Sequence, residues 1–171
     1  MPFLVRFPES YGIQSGQVID KPVELMDLMP TFLDAAGVDI PVTVDGESLV
    51  PLMKDESSAW RDFVHGECCD VPSSNSGMQY VTDGKRKFAW FPGKDEELFF
   101  DLEEDPQEVH NLSNDPDRAI EVATWRGHLI AQLGDRPEGF TDGEKLIEQD
   151  GPTAPVLTRV IEDAQASEVI E

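Results

Sequence analysis

The architecture of this chain is most evident in Glu97-Leu98-Phe99-Phe100-Asp101-Leu102-Glu103-Glu104-Asp105-Pro106-Gln107-Glu108-Val109-His110-Asn111-Leu112. Its apolar part, Leu98–Leu102, predicts a short strand buried in a sheet. Asp105-Pro106 ends this strand and begins a turn, because proline fixes its own φ and keeps the preceding residue out of the helical region. Residues 108–112 close the turn, so the stretch predicts a strand followed by a polar loop.

Three further strands are predicted before this stretch, over Phe63–Glu67, Met78–Thr82 and Lys87–Phe91. Asp83-Gly84 is a hairpin signal between the second and the third strand, and Pro92-Gly93 is the next turn. Aromatic residues on neighbouring strands stabilise an antiparallel sheet of this kind through cross-strand pairs. The aromatic residues that would do so here are Tyr80, Phe88, Trp90 and Phe99.

A helix is predicted from Asp115-Pro116 to about Leu133, and Gly134 follows its end. Its apolar residues are spaced for one face, which is the pattern of a helix that covers one side of a sheet. The residues of this face are Ile120, Trp125, Leu129 and Leu133. The sequence from Phe63 to Leu133 therefore predicts a small α+β unit.

The first part of the chain predicts a strand and a helix. Phe3–Phe7 is apolar on both faces apart from Arg6, which is typical of a strand buried within a sheet. Such a strand needs neighbours on both sides, and the sequence offers no obvious second partner. We therefore expect the chain to be a fragment of a longer protein whose sheet includes this strand. The helix is predicted over Leu28–Ala36, with Asp27 as its N-cap. Its expected apolar stripe is Leu28, Phe32, Leu33 and Ala36, and Ser48 is expected to cap a second, short helical turn through Leu52.

The net charge of −22, from 35 acidic and 13 basic residues, argues against a nucleic-acid partner. A dense acidic surface is typical of a protein from a salt-adapted host, and an ordinary acidic protein with an acidic tail is the alternative. No apolar run reaches the roughly 18 residues of a membrane helix, and the N-terminus lacks the pattern of a signal peptide, so we expect a cytoplasmic protein. Cys68 and Cys69 are adjacent, which disfavours a bridge between them and favours a reducing compartment.

Four strings in series resemble the C-terminal part of a sulfatase, an arylsulfatase-like enzyme of the alkaline-phosphatase-like superfamily. Residues 97–112 resemble the family string LFDLxxDPxExxNL. Residues 1–8, 28–37 and 45–49 resemble the preceding series VRxPG, MDLxPTxLxxAG and DGxSL. The resemblance covers roughly residues 1–135 and leaves out the catalytic N-terminal half.

The resemblance implies a fold of two parts: a late strand and helix of a sulfatase-type α/β core, then a four-stranded antiparallel sheet backed by a helix. We therefore expect residues 1–56 to be the end of the large α/β domain and residues 57–135 to be the C-terminal subdomain. Residues 136–171, rich in glycine, proline and acids, are expected to form an acidic, partly mobile tail.

The resemblance also implies that the chemistry lies elsewhere. Sulfatases hydrolyse sulfate esters with a formylglycine made from a Cys or Ser in a CxPxR string, together with a bound divalent cation, usually calcium. Neither Cys68 nor Cys69 is followed by this string. No catalytic, cofactor-binding or metal residue is carried over to this chain, which is not expected to be active alone.

One candidate site does carry over. His65-Gly66-Glu67-Cys68 matches a family segment HGEH near the mouth of the active site, so His65, Glu67 and Cys68 are candidates for the rim of the substrate site. Cys68 replaces the last histidine, which weakens the match. In the alternative interpretation, His65 and Glu67 share one face of a strand and pair with each other or with the backbone.

Other polar groups favour structural roles. A soft-metal site formed by His65 with Cys68 and Cys69 is disfavoured by adjacent ligands. Glu103-Glu104-Asp105 lacks the spaced oxygen ligands of a calcium loop. Lys85-Arg86-Lys87 could meet an anionic substrate, although charges that guard a hairpin edge are commoner. His110 and His128 are most simply surface or capping residues.

Three functional hypotheses follow. In the first, which we favour, the chain is the C-terminal part of a sulfatase whose partner is the missing catalytic half or a separate catalytic chain. The isolated chain would then expose apolar strand edges and form homo-oligomers or aggregates. In the second, it is a non-catalytic binding module that pairs with a separate catalytic chain. In the third, it is an independent hydrolase that uses carboxylates and His65.

Overall fold

The computed structural model describes residues 3–54, 59–68 and 77–150. The chain divides into two compact units, unit 1 (Met1–Val64) and unit 2 (His65–Glu171). Within the described ranges, no helix is both long and apolar enough to cross a membrane.

Unit 1 is built from short helices around a small apolar core. Helix α1 spans Leu28–Ala35 and directly follows a 3₁₀ turn, Leu25–Asp27, while helix α2 spans Val50–Met53. A further 3₁₀ turn covers Glu9–Tyr11. Buried core residues come from α2 and its N-cap, and partly buried apolar residues pack around them: Leu49, Val50 and Met53, then Phe7, Ile13, Ile19, Val23, Leu52 and Trp60.

The helix predicted over Leu28–Ala36 is confirmed, and Ser48 accepts a hydrogen bond from the backbone N–H of Val50 at the start of α2. The strand predicted over Phe3–Phe7 is not present. Residues 3–8 form no regular secondary structure, and Leu4 is 94% exposed. A strand is stable only when its backbone groups pair with a neighbouring strand. The structure shows no strand elsewhere in residues 9–54 that could pair with this segment.

A four-stranded antiparallel sheet organises unit 2, as the sequence predicted. Its strands are β1 (Val64–Cys68), β2 (Met78–Thr82), β3 (Arg86–Phe91) and β4 (Glu96–Asp101), and they lie in the order β1-β2-β3-β4. A 3₁₀ turn, Pro116–Arg118, leads into helix α3, Ala119–Leu133. The mixed α/β fold, with short helices followed by a four-stranded antiparallel sheet and a helix, is confirmed.

Helix α3 packs against β2 and β3 to form the main core. Val81, Phe88 and Phe99 form a row across three strands, and each is fully buried. The helix contributes Val122, Trp125, Leu129 and Leu133. Ile120, which the sequence analysis assigned to this face, is 86% exposed, and Val122 takes its place. The face follows spacings of three and four residues from Val122, which leaves Ile120 two residues out of phase.

Residues 139–149 return to the sheet, an arrangement that the sequence pattern did not predict. Phe140 is 2% exposed and meets Trp90 edge to face, with 6.0 Å between ring centroids. The backbone N–H of Gln149 donates to the carbonyl of Pro92 at 2.9 Å. A bridge between Thr141 and Leu146 closes the intervening turn. The rest of the predicted tail, residues 151–171, lies outside the described residues.

Candidate functional site

Two residues of the HGEC segment meet a third residue on the neighbouring strand. His65 and Glu67 point to the same face of β1 because they are two residues apart. On β2, Gln79 lies between them: its Oε1 is 2.8 Å from His65 Nε2, and its Nε2 donates to Glu67 Oε2 at 3.2 Å. Gln79 is 6% exposed, so its amide group is largely shielded from water, whereas Glu67 at one end of this link is exposed.

An arginine beyond α3 extends this chain of polar contacts. Arg136 donates to Glu67 Oε2 at 3.0 Å and to both carboxylate oxygens of Glu138, at 2.8 and 3.2 Å. The hydrogen bonds from Arg136 to Glu138, and the charge of Glu67, raise the pKa of Arg136 above its ordinary value. We call His65, Gln79, Glu67, Arg136 and Glu138 the polar chain. Its single guanidinium is matched by two carboxylates, so the far end of the polar chain is acidic.

The structure therefore joins two of the three predicted rim residues. His65 and Glu67 are linked through Gln79 and do not bond to each other directly, which differs from the direct pairing considered in the sequence analysis. Cys68 is exposed at the end of β1, and Cys69 lies outside the described residues. The rim role itself stays a prediction. Gln79 was missed, although a polar residue in phase with the buried Val81 is a readable signal.

Gly66 sits between the two rim residues because of Tyr80. A Cβ on Gly66 would overlap the Tyr80 ring, which crosses directly over the backbone of β1. The absence of a side chain at this position allows the Tyr80 ring to approach the backbone of β1 closely. On the same face, the Lys87 ammonium lies 5.4 Å from the Tyr80 ring centroid and pairs with Glu108 at 2.7 Å.

The decisive stretch of residues 97–112 forms a structural clamp. Asp101, which is 3% exposed, accepts hydrogen bonds from Arg86 at 2.8 Å and from Arg118 at 3.1 Å. Both arginines also bond Glu121 on α3, so the end of β4 is tied to the helix. Within the basic segment of residues 85–87, Arg86 and Lys87 therefore form ion pairs that stabilise the fold.

The turn after β4 protects the edge of the sheet. Asn111 Oδ1 accepts from the backbone N–H of Phe99 at 3.0 Å, and the N–H of Leu112 donates to the Phe99 carbonyl at 2.8 Å. Asp105 accepts from the backbone N–H of His110 at 2.7 Å, and this bond holds the pKa of Asp105 below its ordinary value. These contacts satisfy backbone groups that an edge strand would otherwise expose.

A buried ion pair organises unit 1. The carboxylate of Asp27 is fully buried and receives both Nη atoms of Arg61, at 2.7 and 3.0 Å. The backbone N–H groups of Glu24 and Glu47 donate to the same carboxylate, at 2.8 and 3.0 Å. The sequence analysis predicted that Asp27 caps α1, but its side chain makes no hydrogen bond to the start of this helix. It caps the preceding 3₁₀ turn and binds Arg61, because a buried carboxylate is stable only with a charge partner and hydrogen bonds.

The DGxSL string closes this network from residues 45–49. Thr31 Oγ1 donates to the Asp27 carbonyl at 2.5 Å and accepts from the backbone N–H of Leu49 at 2.9 Å. Gly46 packs its Cα directly on the carbonyl of Met26. A Cβ at Gly46 would overlap that carbonyl, so only glycine fits this close approach of two backbones.

We therefore expect Gly46→Ala to lower the free energy of unfolding of unit 1 by about 1–3 kcal/mol, the usual cost of forcing extra volume into a packed site. Gly127→Ala is the matched control, because a Cβ there meets open space on α3. The control should raise the stability of unit 2 by about 0.5–1 kcal/mol, through helix propensity. Urea unfolding of both variants measures the difference, and equal effects would contradict the close approach at Gly46.

Metal ligands are not grouped in this chain as far as the structure describes it. Within residues 3–54, 59–68 and 77–150, no group of three or more His, Cys, Asp or Glu side chains is arranged to hold a metal ion. The acidic residues 103–105 instead belong to the turn after β4. There the backbone N–H groups of Glu103 and Glu104 donate to the side chain of Asp101. The calcium of the family does not fit these residues, and no chemical step of this chain is assigned to it.

The sheet, the helix behind it and the clamp of residues 97–112 define the class of the protein, the C-terminal domain of a sulfatase. Residues 1–133 match the family described as "N-sulphoglucosamine sulphohydrolase, C-terminal". The chain belongs to this family, which confirms the resemblance found in the sequence.

Two curated relatives are named as sulfatases, and the chain matches a part of each. It is 43% identical to an arylsulfatase of Clostridium perfringens over 134 residues, which is 78% of this chain and 27% of the relative. It is 28% identical to an N-acetylglucosamine-6-O-sulfatase of Bacteroides thetaiotaomicron over 150 residues, which is 84% of this chain and 26% of the relative. The chain thus spans about a quarter of the length of these relatives.

Solved structures share the fold. A phosphonate monoester hydrolase from Silicibacter pomeroyi matches with a TM-score of 0.63 and 26% identity, over 72% of this chain and 27% of that one. A structure solved with D-glucosamine-2-N,6-O-disulfate matches with a TM-score of 0.58 and 26% identity, over 63% and 23%. Again the chain corresponds to about a quarter of the matched protein.

Proposed function

We propose that this chain acts as the C-terminal part of a sulfuric ester hydrolase of the arylsulfatase type. It completes the fold of a catalytic portion, which is joined to it in one polypeptide or supplied as a partner chain. The observation that carries the proposal is the match of residues 1–133 to a C-terminal sulfatase domain that makes up only about a quarter of whole relatives. The nucleophile and the calcium of the reaction would come from the catalytic portion.

An exposed apolar stripe in unit 1 supports this proposal. Leu25, Met26, Met29 and Phe32 are 67, 51, 50 and 66% exposed. Met29 and Phe32 are three residues apart on α1 and so share one face, and Leu25 and Met26 belong to the 3₁₀ turn directly before this helix. The helix packs into its own unit through Pro30 and Thr31 instead. Phe32, predicted as part of the core stripe of α1, is thus turned outward, where a catalytic portion could cover it.

The stripe predicts self-association of the chain when it is alone. We expect sedimentation to show concentration-dependent association, and the double variant Met29→Ser/Phe32→Ser to reduce it at unchanged helix content. Both side chains are exposed, so their replacement should change stability by no more than about 0.5 kcal/mol each. Ile120→Ser, which removes an even more exposed apolar residue from α3, is the control and should leave association unchanged. If the double variant associated like the unchanged chain, the stripe would not be the surface through which the chain self-associates.

We further propose that the β1 segment with His65, Glu67 and Cys68 contributes to the rim of the substrate site in the assembled enzyme. The polar chain supports this role, because it holds His65 and Glu67 in place through hydrogen bonds to the buried Gln79. We also propose that the protein is cytoplasmic, as expected from the sequence. Fractionation of host cells tests this location.

The decisive experiment is purification from the host with an antibody raised against residues 90–112. The eluate is assayed with a sulfate ester and, because of the fold shared with a phosphonate monoester hydrolase, with a phosphonate monoester. A polypeptide several hundred residues long that hydrolyses the sulfate ester supports the proposal. A 19.0 kDa chain that co-purifies with a sulfatase catalytic chain and its activity also supports it.

Two outcomes contradict the proposal. Sulfatase activity in the pure 171-residue chain, lost in His65→Ala, would make the chain an independent hydrolase. A 19.0 kDa chain that binds a partner without any ester hydrolysis would instead favour the non-catalytic binding module.

A further inference from the structure

The partners of Gln79 determine which way its amide group points. An amide oxygen only accepts hydrogen bonds and an amide nitrogen only donates them, whereas an ionised carboxylate only accepts. Glu67 therefore requires the nitrogen of Gln79, and the oxygen is left to face His65 Nε2, 2.8 Å away. The orientation follows from this chemistry, independently of how similar the two amide ends look.

This orientation selects one form of the histidine. Because Gln79 Oε1 can only accept, His65 Nε2 must carry the hydrogen in the bond between them. In the neutral ring, Nδ1 is then the acceptor. Across residues 3–54, 59–68 and 77–150, the structure shows no hydrogen-bond partner for Nδ1.

Arg136 supports the hydrogen bond between Glu67 and Gln79. Its bonds to Glu67 and Glu138 keep the Glu67 carboxylate in place as an acceptor for Gln79. The two carboxylates offset its charge, so this end of the sheet does not attract an anion. A neutral group with a hydrogen to donate, such as a hydroxyl, suits Nδ1 of His65 better than a sulfate does.

We propose that Gln79 is a positioning residue, which with Glu67 holds His65 in its Nε2–H form and so presents Nδ1 as the acceptor for a hydroxyl group of the substrate. The substrate class is then a sulfate ester that carries free hydroxyls. The substrate contact rests on the proposed function, whereas the form of His65 is a property of this chain alone.

The form of His65 is measured by ¹⁵N NMR of the 171-residue chain, which has only three histidines. His65→Asn assigns the signal. We expect neutral His65 to show Nε2–H alone. In Glu67→Gln the new side chain can donate as well as accept, so the Gln79 amide can reverse and an Nδ1–H population should appear. Glu103→Gln is the matched control, since it removes the same charge beside Arg86 and should leave His65 unchanged.

A mixture of forms in the unchanged chain, or an identical signal in Glu67→Gln, would overturn the positioning role. A residue that only stabilised the sheet would change unfolding without changing the form of His65.

The substrate contact is tested in the assembled enzyme with two probes, a monosaccharide sulfate that carries hydroxyls and nitrophenyl sulfate, which has none. Glu67→Gln should raise the ratio of KM for the sugar sulfate to KM for nitrophenyl sulfate roughly tenfold, the value of about one hydrogen bond. Glu103→Gln should leave this ratio unchanged. An equal change for both probes would overturn the hydroxyl contact. An unchanged enzyme without sulfatase activity would overturn the proposed function, while the NMR result would still decide the form of His65.

Discussion

Arg61→Ala should lower the free energy of unfolding of unit 1 by about 3–5 kcal/mol, the cost of leaving one partner of a buried ion pair unpaired. Asp27 is fully buried, and Arg61 supplies its charge partner through two hydrogen bonds. Arg61 also lies 3.6 Å from Glu24 and 3.8 Å from Glu47. Its removal would leave three carboxylates close together, which adds repulsion to the loss of the pair.

Hydrogen exchange followed by mass spectrometry measures this effect within unit 1, where peptides covering residues 24–52 should lose protection. Arg126→Ala is the matched control. Arg126 also makes two hydrogen bonds to one carboxylate, that of Glu97, but this pair is partly exposed, with side chains 34 and 26% accessible. The control should cost about 0–1 kcal/mol. If both variants lost equal stability, burial would not be the reason for the strength of the Asp27–Arg61 pair.

Phe140→Ala should lower the free energy of unfolding of unit 2 by about 3–5 kcal/mol, the usual cost of truncating a buried phenylalanine. The ring is 2% exposed, and it packs edge to face on Trp90, which is itself fully buried. The truncation would open a cavity beside Trp90 and remove the main contact that holds residues 139–149 on the sheet.

Urea unfolding followed by tryptophan fluorescence, to which Trp90 contributes as one of three tryptophans, measures this change. Val109→Ala is the control, because Val109 is 70% exposed in the turn after β4, and its truncation should change stability by no more than about 0.5 kcal/mol. A Phe140→Ala variant as stable as this control would mean that residues 136–150 behave as the mobile tail that the sequence predicted.

Most of unit 2 could be predicted from the sequence because its signals are local. Alternating apolar residues, the Asp83-Gly84 hairpin and the Pro92-Gly93 turn placed each strand within about two residues of its observed ends. Phe140 could not be placed in this way. One aromatic residue among Gly139, Gly143 and Pro137 shows no period, and its burial depends on Trp90, 50 residues earlier.

The candidate site was only partly readable. His65 and Glu67 stood out through their spacing on β1, whereas Gln79 and Arg136 belong to other parts of the chain. Glu67 and Arg136 are 69 residues apart, and no local pattern links them. A polar residue in phase with the buried positions of β2 was the one signal that pointed to Gln79.

Local sequence patterns were enough to predict the family, the order of the strands and the turn after β4, because strand period, proline and glycine act on neighbouring residues. The pairing of charged side chains follows only from tertiary packing. Asp27 turns away from the helix that it was predicted to cap and binds Arg61, 34 residues later, and Phe32 turns outward although its helix pattern favoured the core. A buried carboxylate is stabilised more by a charge partner than by capping a helix. Whether it is buried depends on how distant segments pack together.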